Sequence, residues 1–335
     1  MRHILVTGAT GGLGRNAVRI LLERGIKVRA SGRNTKTGKQ LSDMGAEFVC
    51  LDLAQATPRM ASNLVDSVDA IWHCAALSAP WGRQADFVAS NVNATQLLLD
   101  VAGRHEVKRF VHISTPAIYF DYSDHFDISE TFRPASYVNA YAQTKAQAEQ
   151  LVQRAVTQFP HMRCTILRPR AIFGPHDQVL IPRLLSILQA HGGKLPLPKG
   201  GKVTLDVTYV ENVVHAMWLA TNKTHMVSGM VFNITNHEPA LLCDVLQALF
   251  GAAMQHPFQI VTVPYPLLAG VARCMQFVAH FTRKEPALSP YSLGAINYHM
   301  TLDNLQAKQY LGYLPPVTLT EGICRTASWL RNNNG

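Results

Sequence analysis

Tyr141 and Lys145 stand four residues apart in Tyr141-Ala142-Gln143-Thr144-Lys145, and of the ten tyrosines only this one has a lysine at that spacing. On a helix, residues four apart share a face, so the ammonium sits near the phenol. A free tyrosine, with a pKa of about 10, is a poor base at neutral pH, and a nearby cation favours its phenolate. The pair suits proton transfer at a substrate oxygen. Two hydroxyls, Ser114 and Thr115, close the apolar run Arg109 to Ser114 upstream. They either hold that oxygen or simply cap a strand end.

Positioning these groups requires a scaffold, and the first half of the chain supplies a regular one. Apolar runs at Ile4 to Thr7, Lys27 to Ser31, Glu47 to Leu51, Ala70 to Cys74, Arg109 to Ser114 and Cys164 to Arg168 read as strands. Helical patterns at Leu13 to Arg24, Asp86 to Ala102 and Tyr141 to Gln158 fall between them. Strand and helix in alternation imply an α/β fold, a doubly wound parallel sheet of Rossmann type. From about Pro175 the texture turns irregular, with Pro182, Pro196, Pro198, Gly192-Gly193 and Gly200-Gly201. The expected division is a Rossmann domain over 1–174, with 203–222 returning to it, and a smaller C-terminal substrate lobe made of 175–202 and 223–335.

Between the first strand and first helix lies Thr7-Gly8-Ala9-Thr10-Gly11-Gly12-Leu13-Gly14. Glycines there allow a tight turn and close approach of a pyrophosphate to the backbone, and the helix N-terminus offers it N–H groups and a positive dipole. Gly8, Thr10, Gly11, Gly12, Leu13 and Gly14 are the candidate cofactor loop. The chain has 335 residues, 47% hydrophobic and 16% charged, which excludes a disordered chain. Its net charge of +9 comes with no run of five like charges, so nucleic acid has no local support as a partner. Six scattered cysteines with no CxxC pair suit reduced core thiols in a cytoplasmic protein, and no metal site is expected. Met1-Arg2-His3 runs straight into the first strand, so no secretory leader is expected.

The spacing GxxGxxG within HILVTGATGGLG resembles the extended branch of the short-chain dehydrogenase/reductase superfamily. The resemblance implies an NAD(P)-dependent oxidoreductase acting on CH–OH groups, with Tyr141 transferring the proton and Lys145 tuning it and binding the nicotinamide ribose. It places Thr115 at the substrate oxygen, with Ser114 as fallback, and Asn91 of Asn91-Val92-Asn93-Ala94-Thr95 at a proton-relay water. Further positions carried over to the cofactor are Asp52 and Leu53 after the third strand, Ala75 and Ala76 after the fourth, and Pro169. Where NAD-preferring members carry an Asp, this chain has Ser31 or Gly32 followed by Arg33. A carboxylate there would repel a 2′-phosphate, whereas an arginine fits one, so NADP is expected with NAD as the alternative. Arg33 as an ordinary solvated loop residue is the competing reading.

Ala75 to Gly82, Ile113 to Ala117 and Leu167 to Asp177 are similar to the 3β-hydroxysteroid dehydrogenase-like group, and within it to bacterial 2-alkyl-3-oxoalkanoate reductases. Nucleotide-sugar epimerases and dehydratases, the main competitors, usually carry an Asn where this chain has Ala171 or Ile172. The candidate pocket is apolar, built from Leu77, Trp81, Pro116, Phe173 and Tyr209. It suits a ketone or secondary alcohol on an apolar 3-oxo or 3-hydroxy acid or a steroid-like molecule. A third reading is an NADP-binding regulatory protein without turnover. The apolar stretch Phe258 to Phe281 is expected to be either a buried core or homodimer helix, or an interfacial helix in peripheral contact with membrane.

Overall fold

The structure, a computed structural model, describes residues 1–225, 227–253 and 258–333. Seven strands form one all-parallel sheet: β1 (His3–Thr7), β2 (Lys27–Gly32), β3 (Glu47–Cys50), β4 (Ala70–His73), β5 (Arg109–Ile113), β6 (Arg163–Pro169) and β7 (Met230–Ile234). Their order across the sheet is β7-β6-β5-β4-β1-β2-β3. The chain reverses direction between β1 and β4, and in such sheets ligands bind at that switch point, outside the carboxyl ends of the strands.

Both faces of the sheet are covered, which is why its central strands carry almost unbroken apolar runs. On one face α1 (Gly12–Glu23) packs Ala17, Val18 and Leu21 into a core shared with Val213 and Met217 of a later helix. On the other, α3 (Pro58–Val65), α4 (Ala94–Arg104) and α5 (Ala140–Gln158) bury Leu64, Leu98 and Val152; α2 (Thr35–Asp43) follows β2. The second lobe contains α6 (Leu180–Ala190), α8 (Leu242–Ala253), α9 (Tyr265–Thr282) and α10 (Leu319–Asn333). Its own core joins Ile181, Leu188, Leu246, Phe250, Ile323 and Leu330. Between α6 and α8, α7 (Val210–Asn222) supplies Val213 and Met217 to the sheet core, whereas Val203, Leu205, Val207 and Tyr209 just before it pack in the core of the second lobe.

The division into lobes differs from the expected boundaries in two places. Met230–Ile234, expected in the substrate lobe, is the seventh sheet strand, because the open edge of β6 takes it up in parallel register from Met230 opposite Thr165 to Ile234 opposite Pro169. Conversely His125–Ile128, expected in the Rossmann domain, joins Met300–Leu302, Thr204–Leu205 and Ala240–Leu241 in a four-stranded sheet. Residues 226, 254–257 and 334–335 of the expected lobe lie outside the described residues.

Three smaller expectations also change. The helix expected over Asp86 to Ala102 is interrupted: a short turn Gln84–Phe87 runs into a π-helical stretch, Val88–Asn93, before α4 begins. Of the cysteines, Cys50, Cys274 and Cys324 are exposed rather than in the core. Helix α9 is no buried core helix, for only Ala272 and Ala279 are buried while Leu267, Val271, Phe277, Val278 and Phe281 stand exposed. Among the described residues no helix is long and apolar enough to cross a membrane.

Candidate active site

The glycine loop leaves β1 at the switch point and is packed too tightly for side chains at two positions. Gly8 has φ +64°, and a Cβ there would lie 2.7 Å from the backbone nitrogen of Ala75. At Gly14 a Cβ would collide with the carbonyl of Gly8, so the start of α1 sits directly on the turn. No side chain caps that helix, whose N-cap is Gly11. An uncapped N-terminus with bare backbone around it is what an anionic diphosphate needs, and the residues present fit a dinucleotide.

Around the loop lie the other positions carried over to the cofactor. Ala75 donates its N–H to Thr7 Oγ1 at 3.3 Å, drawing the 75–77 segment alongside the glycine turn. Asp52 caps the turn Leu53–Gln55 by accepting from Ala54 N, and Leu53 is buried beneath it. At the end of β2 a Cβ on residue 32 would lie 2.6 Å from Thr10 Oγ1, so Gly32 is held as glycine by contact with the loop. Arg33 is 71% exposed, with its guanidinium 3.7 Å from Asp52 Oδ2, a loose surface pair that leaves the cation available. Pro169 ends β6 opposite Ile234.

At the end of β5 the structure brings together Tyr141, Thr115 and a residue not singled out for chemistry, Ser78. Both side chains stand near enough to the Tyr141 hydroxyl to pull its pKa down. Burial raises the pKa of this phenol, and the two neighbouring hydroxyls pull the other way. Asn139 starts the helix by accepting from Ala142 N at 2.8 Å, which fixes the first turn of α5 that carries Tyr141. Thr115 has its own backbone anchor, accepting from Ala117 N at 3.1 Å. Ser114, the fallback, points elsewhere: its Oγ donates to Glu149 Oε1 at 2.5 Å.

Lys145 is buried on the same helix, but its Nζ is directed to the backbone of Ile113 at 2.6 Å and to His112 Nε2 at 3.2 Å. Burial pushes the Lys145 amine down to about 8, opposed by Glu149 and Cys74. Its imidazole neighbours stay neutral. Burial and then the Lys145 charge hold His73 down to about 3 and His112 well below its usual range. His73 is held by Thr7 Oγ1 at 2.8 Å and Thr95 Oγ1 at 2.9 Å.

Beneath the site runs a buried ionic network that the sequence did not disclose. Arg168 donates through Nε and Nη2 to the two oxygens of Glu149 at 2.8 and 2.5 Å, and through Nη1 to Tyr119 Oη and Glu130 O. Glu149 lies one turn beyond Lys145, so the network ties α5 to β6 and, through Ser114, to the end of β5.

Asn91 lies in the π-helical stretch and uses its amide as a clamp. Its Oδ1 accepts from Leu77 N at 2.7 Å, while Nδ2 donates to Leu77 O and Thr144 Oγ1. This holds the 75–78 segment against α5, which is how Ser78 reaches Tyr141. A cavity of about 530 Å³ has in its wall Pro80 and Trp81, which follow that segment, Asn139 at the start of α5, and Phe277 and Tyr291. Of the residues expected in that wall Trp81 lines it, while Leu77, Pro116, Phe173 and Tyr209 do not. Phe173 and Tyr209 pack on each other at 5.7 Å between ring centroids in the core of the second lobe.

A parallel sheet of this order, with a glycine-rich turn at its switch point and a Tyr–Lys pair beside it, defines an NAD(P)-binding Rossmann oxidoreductase acting on CH–OH groups. Residues 4–235 match the NAD dependent epimerase/dehydratase family, and the chain belongs to that family, in the extended short-chain dehydrogenase/reductase branch. It is similar to the "Uncharacterized protein YbjS" of Escherichia coli (strain K12), 45% identical over 332 residues and 98% of each chain. It is 30% identical over 331 residues to a 2-alkyl-3-oxoalkanoate reductase of Stenotrophomonas maltophilia (strain K279a), covering 96% of this chain and 97% of the other. In fold it resembles the UDP-glucuronic acid 4-epimerase of Bacillus cereus in complex with NAD, with a TM-score of 0.75 at 22% identity over 98% and 99% of the two chains.

Proposed function

We propose that this chain is an NADP-dependent reductase or dehydrogenase that interconverts a ketone and a secondary alcohol on an apolar substrate oxygenated at C3, of the 3-oxo/3-hydroxy acid or steroid-like class. The observation that carries this is the Tyr141 hydroxyl with the Thr115 and Ser78 side chains beside it, on segments whose next residues, Asn139, Pro80 and Trp81, line a cavity with aromatic and proline walls. When bound, the nicotinamide supplies or accepts the hydride. Tyr141 passes the matching proton to or from the substrate oxygen, and Thr115 and Ser78 hold that oxygen in line. Lys145, released from Ile113, supplies the cation that lowers the phenol. The 30% identity to a 2-alkyl-3-oxoalkanoate reductase supports an apolar oxo acid over a sugar nucleotide.

NADP is favoured over NAD by the pairing of Gly32 with Arg33. Contact with Thr10 keeps a carboxylate-bearing side chain out of position 32, and the exposed Arg33 lies one residue on. The experiment is a titration of purified protein with NADPH and NADH, followed by turnover of 3-hydroxy acids, 3-hydroxysteroids and UDP-sugars. Tighter NADPH binding that is lost in Arg33→Ala, with turnover of the apolar alcohols, is the expected result. Conversion of UDP-sugars alone overturns the reading in favour of an epimerase, and NADPH binding with no turnover overturns it in favour of a regulatory protein.

A further inference from the structure

Arg170 follows β6 directly, and its backbone is fixed at both ends. Its N–H donates to Ile234 O at 3.1 Å, and its carbonyl accepts from Thr208 Oγ1 at 2.6 Å. Two residues earlier, Arg168 commits its whole guanidinium to Glu149, Tyr119 and Glu130. Arg170 does the opposite. Its Nε is buried without a partner, and among the described residues no hydrogen bond or ion pair reaches its guanidinium.

The one carboxylate in its electrostatic surroundings is Asp206, and no ion pair joins the two. Asp206 accepts from Leu302 N at 2.7 Å through Oδ2, and its Oδ1 is itself buried without a partner. The other neighbour is Tyr291, whose phenol feels both Arg170 and Tyr141 and whose side chain lines the cavity. The unpaired cation and the proton-transfer tyrosine thus share one cavity residue. Arg170 is half-buried with its Nε out of solvent, and holding a guanidinium there without an anion has a cost, while its planar fork of donors is matched best by a carboxylate.

We propose that Arg170 receives the carboxylate of the substrate, so that the molecule turned over is a 3-oxo or 3-hydroxy acid and not a neutral sterol or ketone. In such an acid the carboxylate stands two carbons from the reacting carbon, so that one end of the molecule would meet Arg170 while the oxygen meets Tyr141. This rests on the reductase reading above and narrows its substrate class. The position carries no side chain of the cofactor loop or of the Tyr–Lys pair, so its effect separates from theirs.

The test compares a 2-alkyl-3-hydroxy acid with its methyl ester as substrates of the NADP-loaded enzyme, in wild type, Arg170→Gln, Arg170→Lys and Asp206→Asn. A charge-assisted pair implies that Arg170→Gln raises KM for the acid roughly 10- to 100-fold while the ester changes little. Arg170→Lys keeps the charge but loses the fork, so it falls between, and it carries the comparison should the glutamine variant not fold. Asp206→Asn leaves the preference for the acid in place. As a reading independent of turnover, dodecanoate binds the NADP-loaded wild type in a calorimetric titration and loses that binding in Arg170→Gln. Equal losses for acid and ester, no loss at all, or an Asp206→Asn variant that reproduces the defect overturns the assignment. Wild-type enzyme that oxidises acid and ester equally well overturns it while leaving the reductase reading intact. Turnover of neither, with conversion of a nucleotide sugar, overturns both.

Discussion

Lys145 is held in the fold as a buried cation, and this has a measurable signature in stability. Its amine lies at about 8 in the folded chain against 10.5 when exposed, mainly through burial. Below pH 8 both states carry the proton and the folded state bears the full cost of burying it. Between 8 and 10.5 the unfolded chain binds more protons than the folded one, so stability rises with pH at about 1.4 kcal/mol per unit. Integrated over that window, the rise is about 3 kcal/mol. Lys145→Met keeps the volume and removes the titration, although Ile113 O then loses its donor, a cost that does not depend on pH. The assay is urea unfolding of both proteins without cofactor from pH 7 to 10.5. Surface lysines and tyrosines cancel in the difference. The stability of Lys145→Met relative to wild type is expected to fall by about 3 kcal/mol across the range. A difference that stays flat with pH refutes the picture of a strained buried ammonium.

The other expectations follow from the hydrogen bonds. Tyr141→Phe cuts kcat by roughly 10² to 10⁴ with cofactor affinity nearly unchanged, measured by steady-state kinetics and NADPH titration. Thr115→Ala lowers kcat less than that, and Ser114→Ala less again, because Ser114 is bonded to Glu149 and not to Tyr141. In denaturation Ser114→Ala instead loses about 1–3 kcal/mol, since a buried carboxylate oxygen gives up a donor. Arg168→Met strands Glu149 and destabilises by about 3–5 kcal/mol, read by the shift of the urea midpoint.

What the sequence disclosed and what it hid have a common physical explanation. Gly8, Gly14, Tyr141 and Lys145 were legible because each role depends on local geometry: a turn feeding a helix, or one helical face. Ser78, Glu149 and Arg170 were not, because their roles arise only when segments distant in the chain meet. Ser114 finds Glu149 35 residues away, and Asn91 reaches back 14 residues to Leu77. Phe173 and Tyr209 misled for the converse reason. Their apolar character suits a pocket wall and a lobe core equally well, and only packing decides between them. Likewise the strand Met230–Ile234 sits in an irregular stretch, and its membership of the main sheet depends on the free edge of β6.

The π-helical stretch Val88–Asn93 has an implication for how this chain tolerates insertions and deletions. A π turn accommodates one residue more than an α turn, and each residue added to or taken from an α-helix rotates what precedes it by about 100°. Removing one residue from 88–90 would let the segment close up as a continuous helix with α4, so folding would survive. The short turn Gln84–Phe87 and the loop before it would then be swung around the helix axis relative to Asn91, and Leu77 would lose its clamp. Length at this point acts as a setting for the active site, so relatives that differ here by a single residue would share the fold and differ in chemistry.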